Sequence, residues 1–308
     1  MATLPFSLHI LRTIANTTSV GTLDTAIEAN DVCLVWLLIE NGATINDTTF
    51  VGACRKGHAE IVRMLLDLPL EIGMDPSACD NKALRSASRN GHTEIVRMLL
   101  DLALERGVNP STLDNESLIF ASYNGHTEIV HVLLDLPLDR GVNPAARDND
   151  ALKCACWKGH TEIVRLLLEL PLERGVDPAA IDNYALRGAS DNGSTEIVRL
   201  LLELPLERGV DPAARDNVAL RYACWKGHTE IVRLLLDLPL EKGVDPSARS
   251  NIALKNACYY GYTEIVRMLL DLPAERGVDL AANNNAAIRH ASNRGHTDVV
   301  RMLKAKIP

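Results

Sequence analysis

The residues of this chain best suited to chemistry return at a fixed interval. Histidine follows glycine at His58, His92, His126, His160, His228 and His296, and cysteine stands at Cys54, Cys156, Cys224 and Cys258. Imidazoles and thiolates could hold a transition metal, whose ligands must converge on one ion at about 2 Å. The interval argues against convergence. The glycine slot recurs at Gly57, Gly91, Gly125, Gly159, Gly193, Gly227, Gly261 and Gly295, a constant step of 34 residues. Equivalent side chains of stacked repeats stand one repeat apart rather than around one point. Ser194 and Tyr262 also fill the histidine slot, which predicts a hydrogen bond at a helix start or between repeats. Ser88, Ser122, Ser190 and Ser292 fill the cysteine slot, which predicts a small side chain rather than a disulfide or a ligand. No His-Glu-x-x-His, phosphate-binding glycine loop or Gly-x-Ser-x-Gly is present. Glu94 with Arg97, and Arg97 with Asp101, have the spacing of solvated helix pairs. The expectation is a chain that is not an enzyme, with no metal and no cofactor.

A repeat of this length forms a unit too small to bury its own apolar face, so its neighbours must cover it. Residues 80 to 113 show the parts. Asp80-Asn81 can cap a first helix, Lys82 to Asn90, which Gly91 closes in the left-handed conformation. Thr93 and Glu94 open a second helix, with the carboxylate at its positive end. That helix is expected to stop near Leu102, because most repeats next place a proline: Pro69, Pro137, Pro171, Pro205, Pro239 or Pro273, with Ala103 the exception. A short further turn, Leu-Glu-Arg, precedes Gly107, and Asn109-Pro110 begins an extended return. With Asn30 in the glycine's place, the step gives nine helix pairs, the last running from Ala286 to Leu303 before the polar Lys304-Ala305-Lys306.

The 308 residues are 47% hydrophobic and 23% charged, the composition of an ordered protein. No apolar run reaches the roughly 20 residues of a membrane span, and the start lacks the pattern of a secretory signal. With an odd number of cysteines, seven, the expected location is cytoplasmic, with the nucleus open, and no membrane contact. Residues 1 to 20 are expected to form a capping helix and residues 21 to 308 one array. Leu4-Pro5 and Ile10-Leu11 are similar to the opening of an F-box.

Leu37-Leu38, followed by Glu40-Asn41-Gly42-Ala43-Thr44-Ile45-Asn46, closely resembles the ankyrin repeat, and the recurring Gly-His-Thr-Glu-Ile-Val extends that resemblance over about residues 21 to 305. The Asn-x-Ala-Leu-Arg-x-Ala-Ser variant is similar to repeats of large DNA viruses of protists and of their hosts. The resemblance implies an all-α solenoid of about nine helix-turn-helix units. The usual Thr-Pro-Leu-His start is replaced by x-Ala-Leu-Arg and the second helix reads as lengthened, so β-hairpin fingers are expected to be short or absent. It also implies that exposed first-helix residues line a concave groove for a partner.

Nearly identical repeats let the chain serve as its own comparison. In the first helices the small and apolar residues share one face, and variation gathers opposite them. Eight of the twelve aromatic residues fall there: Phe120, Tyr123, Trp157, Tyr184, Tyr222, Trp225, Tyr259 and Tyr260. Exposed aromatics are the common material of binding hot spots. Of these, Tyr123, Trp157, Tyr184, Tyr222, Trp225, Tyr259 and Tyr260 form the candidate binding set with Arg89, Lys158, Lys226 and Arg294. The first-helix segments from 48–56 to 286–294 hold thirteen Lys or Arg against three Asp or Glu, a net of +10. With −8 overall, the remainder carries −18. Arg85, Lys153, Arg187, Arg221, Lys255 and Arg289 share one slot and could instead pair with loop aspartates such as Asp114 or Asp216. The expected function is a monomeric scaffold binding a protein of acidic character. The alternatives are nucleic-acid or other polyanion binding, which is the less favoured, and a ubiquitin-ligase substrate adaptor with a degenerate F-box-like N-terminus.

Overall fold

The computed structural model describes residues 22–68, 74–102, 106–280 and 282–306. The expected capping helix and F-box-like opening, residues 1 to 20, lie outside them. The chain divides into two compact units, one ending at Pro144 and the other beginning at Ala145. Among the described residues every regular element is helical and none is a strand.

The first unit contains four helix pairs: α1 (Thr22–Glu28) with α2 (Val32–Glu40), α3 (Asp47–Lys56) with α4 (Ala59–Leu66), α5 (Ala78–Asn90) with α6 (Thr93–Asp101), and α7 (Thr112–Asn124) with α8 (Thr127–Leu134). The second contains five: α9 (Ala146–Lys158) with α10 (Thr161–Leu168), α11 (Ala180–Asn192) with α12 (Thr195–Leu202), α13 (Ala214–Lys226) with α14 (Thr229–Leu236), α15 (Ala248–Tyr260) with α16 (Thr263–Leu270), and α17 (Ala282–Asn293) with α18 (Thr297–Lys306). The expected nine pairs are present. The last extends beyond the expected 286 to 303, because Lys304-Ala305-Lys306 continues the helix.

Each helix buries one stripe. In α9 it is Ala151, Leu152, Ala155 and Cys156, and in α10 it is Ile163, Val164, Leu167 and Leu168. Complete burial of such an isoleucine or leucine stabilises by about 1.5–3 kcal/mol. Alanine and cysteine keep the first helices slim, and within each unit it is these helices that pack most extensively on their counterparts in the next repeat.

Two elements differ from expectation. The Asp-Asn pair is not an N-cap from extended backbone. In α9 the residues Arg147, Asp148 and Asn149 lie at φ +51°, +51° and +64°, a left-handed turn ahead of the regular helix, and α5, α7, α11, α13 and α15 repeat it. Each residue placed there costs roughly 1–2 kcal/mol, least for Asn and Asp. The turn aims a buried asparagine at the next repeat. Asn149 Oδ1 accepts the Asp177 N–H at 2.8 Å, Asn183 that of Asp211 at 2.8 Å, and Asn217 that of Asp245 at 2.9 Å. Asn81 and Asn115 do the same for Asn109 and Asn143 in the first unit, both at 2.8 Å.

The second helices are also not lengthened. Several have eight residues, and the extra sequence forms a separate 3-10 turn such as Leu172–Arg174 or Leu206–Arg208. Where Ala103 replaces proline, α6 reaches Asp101, one residue short of Leu102. The arginine of the turn ties it to the preceding repeat: Arg208 donates to the carbonyl of Leu168, the last residue of α10, at 3.3 Å and to that of Val176 at 3.2 Å. The leucine points to solvent, with Leu172, Leu206 and Leu240 at 66%, 76% and 61% exposure.

Candidate partner-binding face

The histidine slot serves the stack. At His92, His126, His228 and His296 the ring Nε2 meets a backbone carbonyl of the preceding repeat, His228 to Asp191 O and His296 to Tyr259 O both at 3.1 Å, whereas His58 Nε2 in the first unit is buried without a partner. A carbonyl can only accept, so Nε2 carries the proton. The same ring lies over the preceding glycine: a Cβ on Gly193, which sits at φ +82°, would come within 2.6 Å of His228. Among the described residues no three His, Cys, Asp or Glu come together to hold a metal. All seven cysteines are free thiols, and burial pushes the Cys224 and Cys258 thiols up, Cys258 to about 12. No helix of the described residues is long and apolar enough to cross a membrane.

The cationic slot is largely occupied by the fold. Arg187 donates to the Ile181 carbonyl at 3.0 Å, and Lys153 donates to the Arg147 carbonyl at 3.2 Å and meets Asp150 at 2.9 Å. Arg221 reaches the Arg215 and Asp216 carbonyls at 3.4 and 3.3 Å, and in the first unit Arg85 bonds the Cys79 and Asp80 carbonyls and pairs with Glu116. These cations bond carbonyls of the left-handed turn that precedes them, so the internal pairing that the sequence left open is present, with carbonyl oxygens among its acceptors. Burial lowers the pKa of Arg187 and Arg221.

The remaining face is built by the last turns of the first helices, because the residues before the closing glycine point away from the buried stripe. In the second unit Trp157 and Trp225 are each 40% exposed and Tyr260 is 43% exposed. Trp157 lies 6.3 Å from Tyr184, ring to ring, and Tyr222 lies 6.3 Å from Trp225. The Trp225 indole N–H donates to the Tyr260 hydroxyl at 2.9 Å, and Tyr260 meets Tyr259 edge to face at 4.9 Å. Cations lie on these rings: Lys226 is 4.5 Å from the Trp225 centroid, and Arg294 is 4.1 Å from that of Tyr259. Lys226 is also 3.9 Å from Asp191. Lys158 is exposed beside Trp157. Between α13, α15 and α17 these rings wall an open pocket of about 370 Å³ with Ile252, Lys255, Asn256 and His290.

The first unit holds the other two candidates. Arg89, at the end of α5, covers the Phe120 ring at 4.7 Å, and Tyr123, in the last turn of α7, is 42% exposed.

Thus the Trp225, Lys226, Tyr259, Tyr260 and Arg294 group is one cluster, with Tyr222 at its side, whereas Trp157 and Tyr184 form a smaller one. His290, 5.8 Å from Tyr259, and Lys255 complete the pocket and were missing from the candidate set. Their signal was in the spacing. His290 carries a ring but is not among the Phe, Tyr and Trp residues that mark the face, and Lys255 shares its slot with cations whose sister residues bond carbonyls.

A family model described as ankyrin repeats (3 copies) matches residues 23–114, 102–182 and 172–250. The crystal structure of the ankyrin repeat domain of Bcl-3, a member of the IkappaB protein family, is 25% identical, with a TM-score of 0.51, covering 71% of this chain and 97% of that one. The X-ray structure of an ankyrin repeat family protein from Legionella pneumophila is 18% identical, with a TM-score of 0.42, covering 88% and 89%. None of the curated protein sequences matches the chain.

Proposed function

The chain belongs to the ankyrin-repeat family, and from that premise we propose that it is a non-catalytic scaffold that binds a protein of acidic character through the exposed first-helix face of its second unit. Ankyrin repeats are in general protein-interaction modules, which gives the coarse reading. The observation supporting the finer one is the cluster of half-exposed rings carrying Lys226 and Arg294 on their faces. Fixed rings offer large contact area at little loss of side-chain freedom, and the cations select the sign of the partner.

The test is to pan a displayed peptide library against the full chain, counter-selecting with the Trp225→Ala variant. Recovered sequences should be enriched in Asp and Glu and should lose about 2 kcal/mol or more of affinity to Trp225→Ala. Neutral or basic sequences, or equal binding to the variant, would contradict the proposal. Equal competition by single-stranded DNA of any sequence, with affinity falling steeply in salt, would favour polyanion binding instead.

A further inference from the structure

We infer that the pocket between α13, α15 and α17 is the anchor of that face, and that it takes a single aromatic side chain of a partner segment whose flanking residues are carboxylates; this rests on the reading of the face proposed above. At about 370 Å³ the pocket lies at the small end of ligand sites, roughly 300–1,000 Å³, enough for one large side chain and its backbone. Four of its seven lining residues, Trp225, Tyr259, Tyr260 and His290, present rings held in place before any ligand arrives. The Trp225 N–H to Tyr260 hydroxyl bond at 2.9 Å fixes two rings relative to each other. The edge-to-face contacts of Tyr259 with Tyr260 and His290, at 4.9 and 5.8 Å, fix two more. Preorganised walls spare the ordering that a flexible site would require on binding.

Charge selects the occupant. The lining residues include Lys255 and no Asp or Glu. Lys226 and Arg294 already lie over Trp225 and Tyr259, so a lysine, methylated lysine or arginine would compete with resident cations for the same rings and be repelled by them. An aromatic ring meets these walls in the edge-to-face and offset geometries that aromatic pairs prefer. Carboxylates on either side of it would then face Lys255, Lys226 and Arg294.

The test uses the full chain labelled with 5-fluorotryptophan. It carries three tryptophans, Trp36, Trp157 and Trp225, and the Trp225 resonance is assigned with Trp225→Phe. Three peptides serve as probes: a phenylalanine flanked by two aspartates on each side, the same peptide with alanine in its place, and the phenylalanine flanked by lysines. The phenylalanine-aspartate peptide should shift the Trp225 resonance saturably, binding at least tenfold more tightly than either of the others. Tyr259→Leu should remove that preference without lowering the melting temperature. Equal binding of the two aspartate peptides would overturn the pocket assignment while leaving the acidic-partner reading intact. Equal binding of the lysine-flanked peptide would overturn the assigned charge class. Absence of binding by all three at millimolar concentration would overturn both readings.

Discussion

At the scale of single residues, two slots that look chemical are structural, for different reasons. The cysteine slot is closed by packing: Cys156, Cys224 and Cys258 are fully buried, and serine is accommodated in sister repeats, at Ser190 with a bond to the Leu186 carbonyl at 2.8 Å and at Ser88 and Ser122 buried without a partner. Cys156→Ser, Cys224→Ser and Cys258→Ser should therefore each cost no more than about 1 kcal/mol in urea unfolding, the centre of the range for point changes. A thiol reagent at pH 8 should modify exposed Cys33 and Cys79 quickly, and the buried four only as the protein unfolds, since burial raises their pKa and hides the sulfur. The histidine slot is closed by a backbone bond and by the glycine beneath the ring. Gly193→Ala should destabilise both through its φ of +82° and through the approach to His228. In a His228→Ala background only the φ contribution should remain. A double-mutant cycle by thermal or urea unfolding measures the difference, and a cycle that closes to zero would mean that the ring bends away freely.

At the scale of elements, the left-handed turn and its asparagine decide how one repeat meets the next. Asn217 is buried, stands at φ +59°, and holds the Asp245 N–H. Replacing it by alanine leaves that N–H without its acceptor and puts a less tolerant residue in the left-handed region. The expected loss is about 1–3 kcal/mol for the orphaned group, read from urea unfolding. The Asp216→Ala change beside it should cost less, because that aspartate is exposed and its partner Arg249, at 2.9 Å, is exposed too. The periodic glycine, proline and leucine made the helix pairs and the short turns after them legible in the sequence, and the replaced Thr-Pro-Leu-His start pointed to the absence of strands among the described residues. Those are local properties of residue type. The turn was not legible, because Asp-Asn before a helix has the ordinary chemistry of an N-cap, and what sets it apart is an acceptor used 28 residues later. For the same reason the acceptors of the shared-slot cations were not legible: their bonds go to carbonyls of a turn whose shape the letters do not declare. The aromatic face was legible through repeat comparison, but its clustering around Tyr259 depends on contacts about one repeat apart, such as Arg294 with Tyr259 and Trp225 with Tyr260.

At the scale of the molecule, net charge and local charge have opposite signs, and ionic strength can separate them. The chain carries −8, whereas the first-helix segments of the second unit, from 150–158 to 286–294, hold eight Lys or Arg against two Asp, a net of +6. Hydrogen bonding of Lys153 or Arg187 to carbonyls leaves the charge of those side chains in place, and the two acids within the segments are already counted. At 0.01 M salt the screening length is about 30 Å, so an acidic peptide approaching the face senses much of the net negative chain. Near 0.1 M it shortens to about 10 Å, and the peptide senses chiefly the cations it touches. At 1 M, about 3 Å, little attraction is left beyond direct contact. Affinity for an acidic peptide should consequently pass through a maximum at intermediate salt. Lys226→Glu should flatten that maximum by slowing association, with a smaller effect on dissociation. Stopped-flow binding across that salt range checks both statements. A steep, unbroken fall from the lowest salt upward would mean that the face cations outweigh the remaining −14, and that the chain attracts polyanions in general rather than acidic segments that fit the rings.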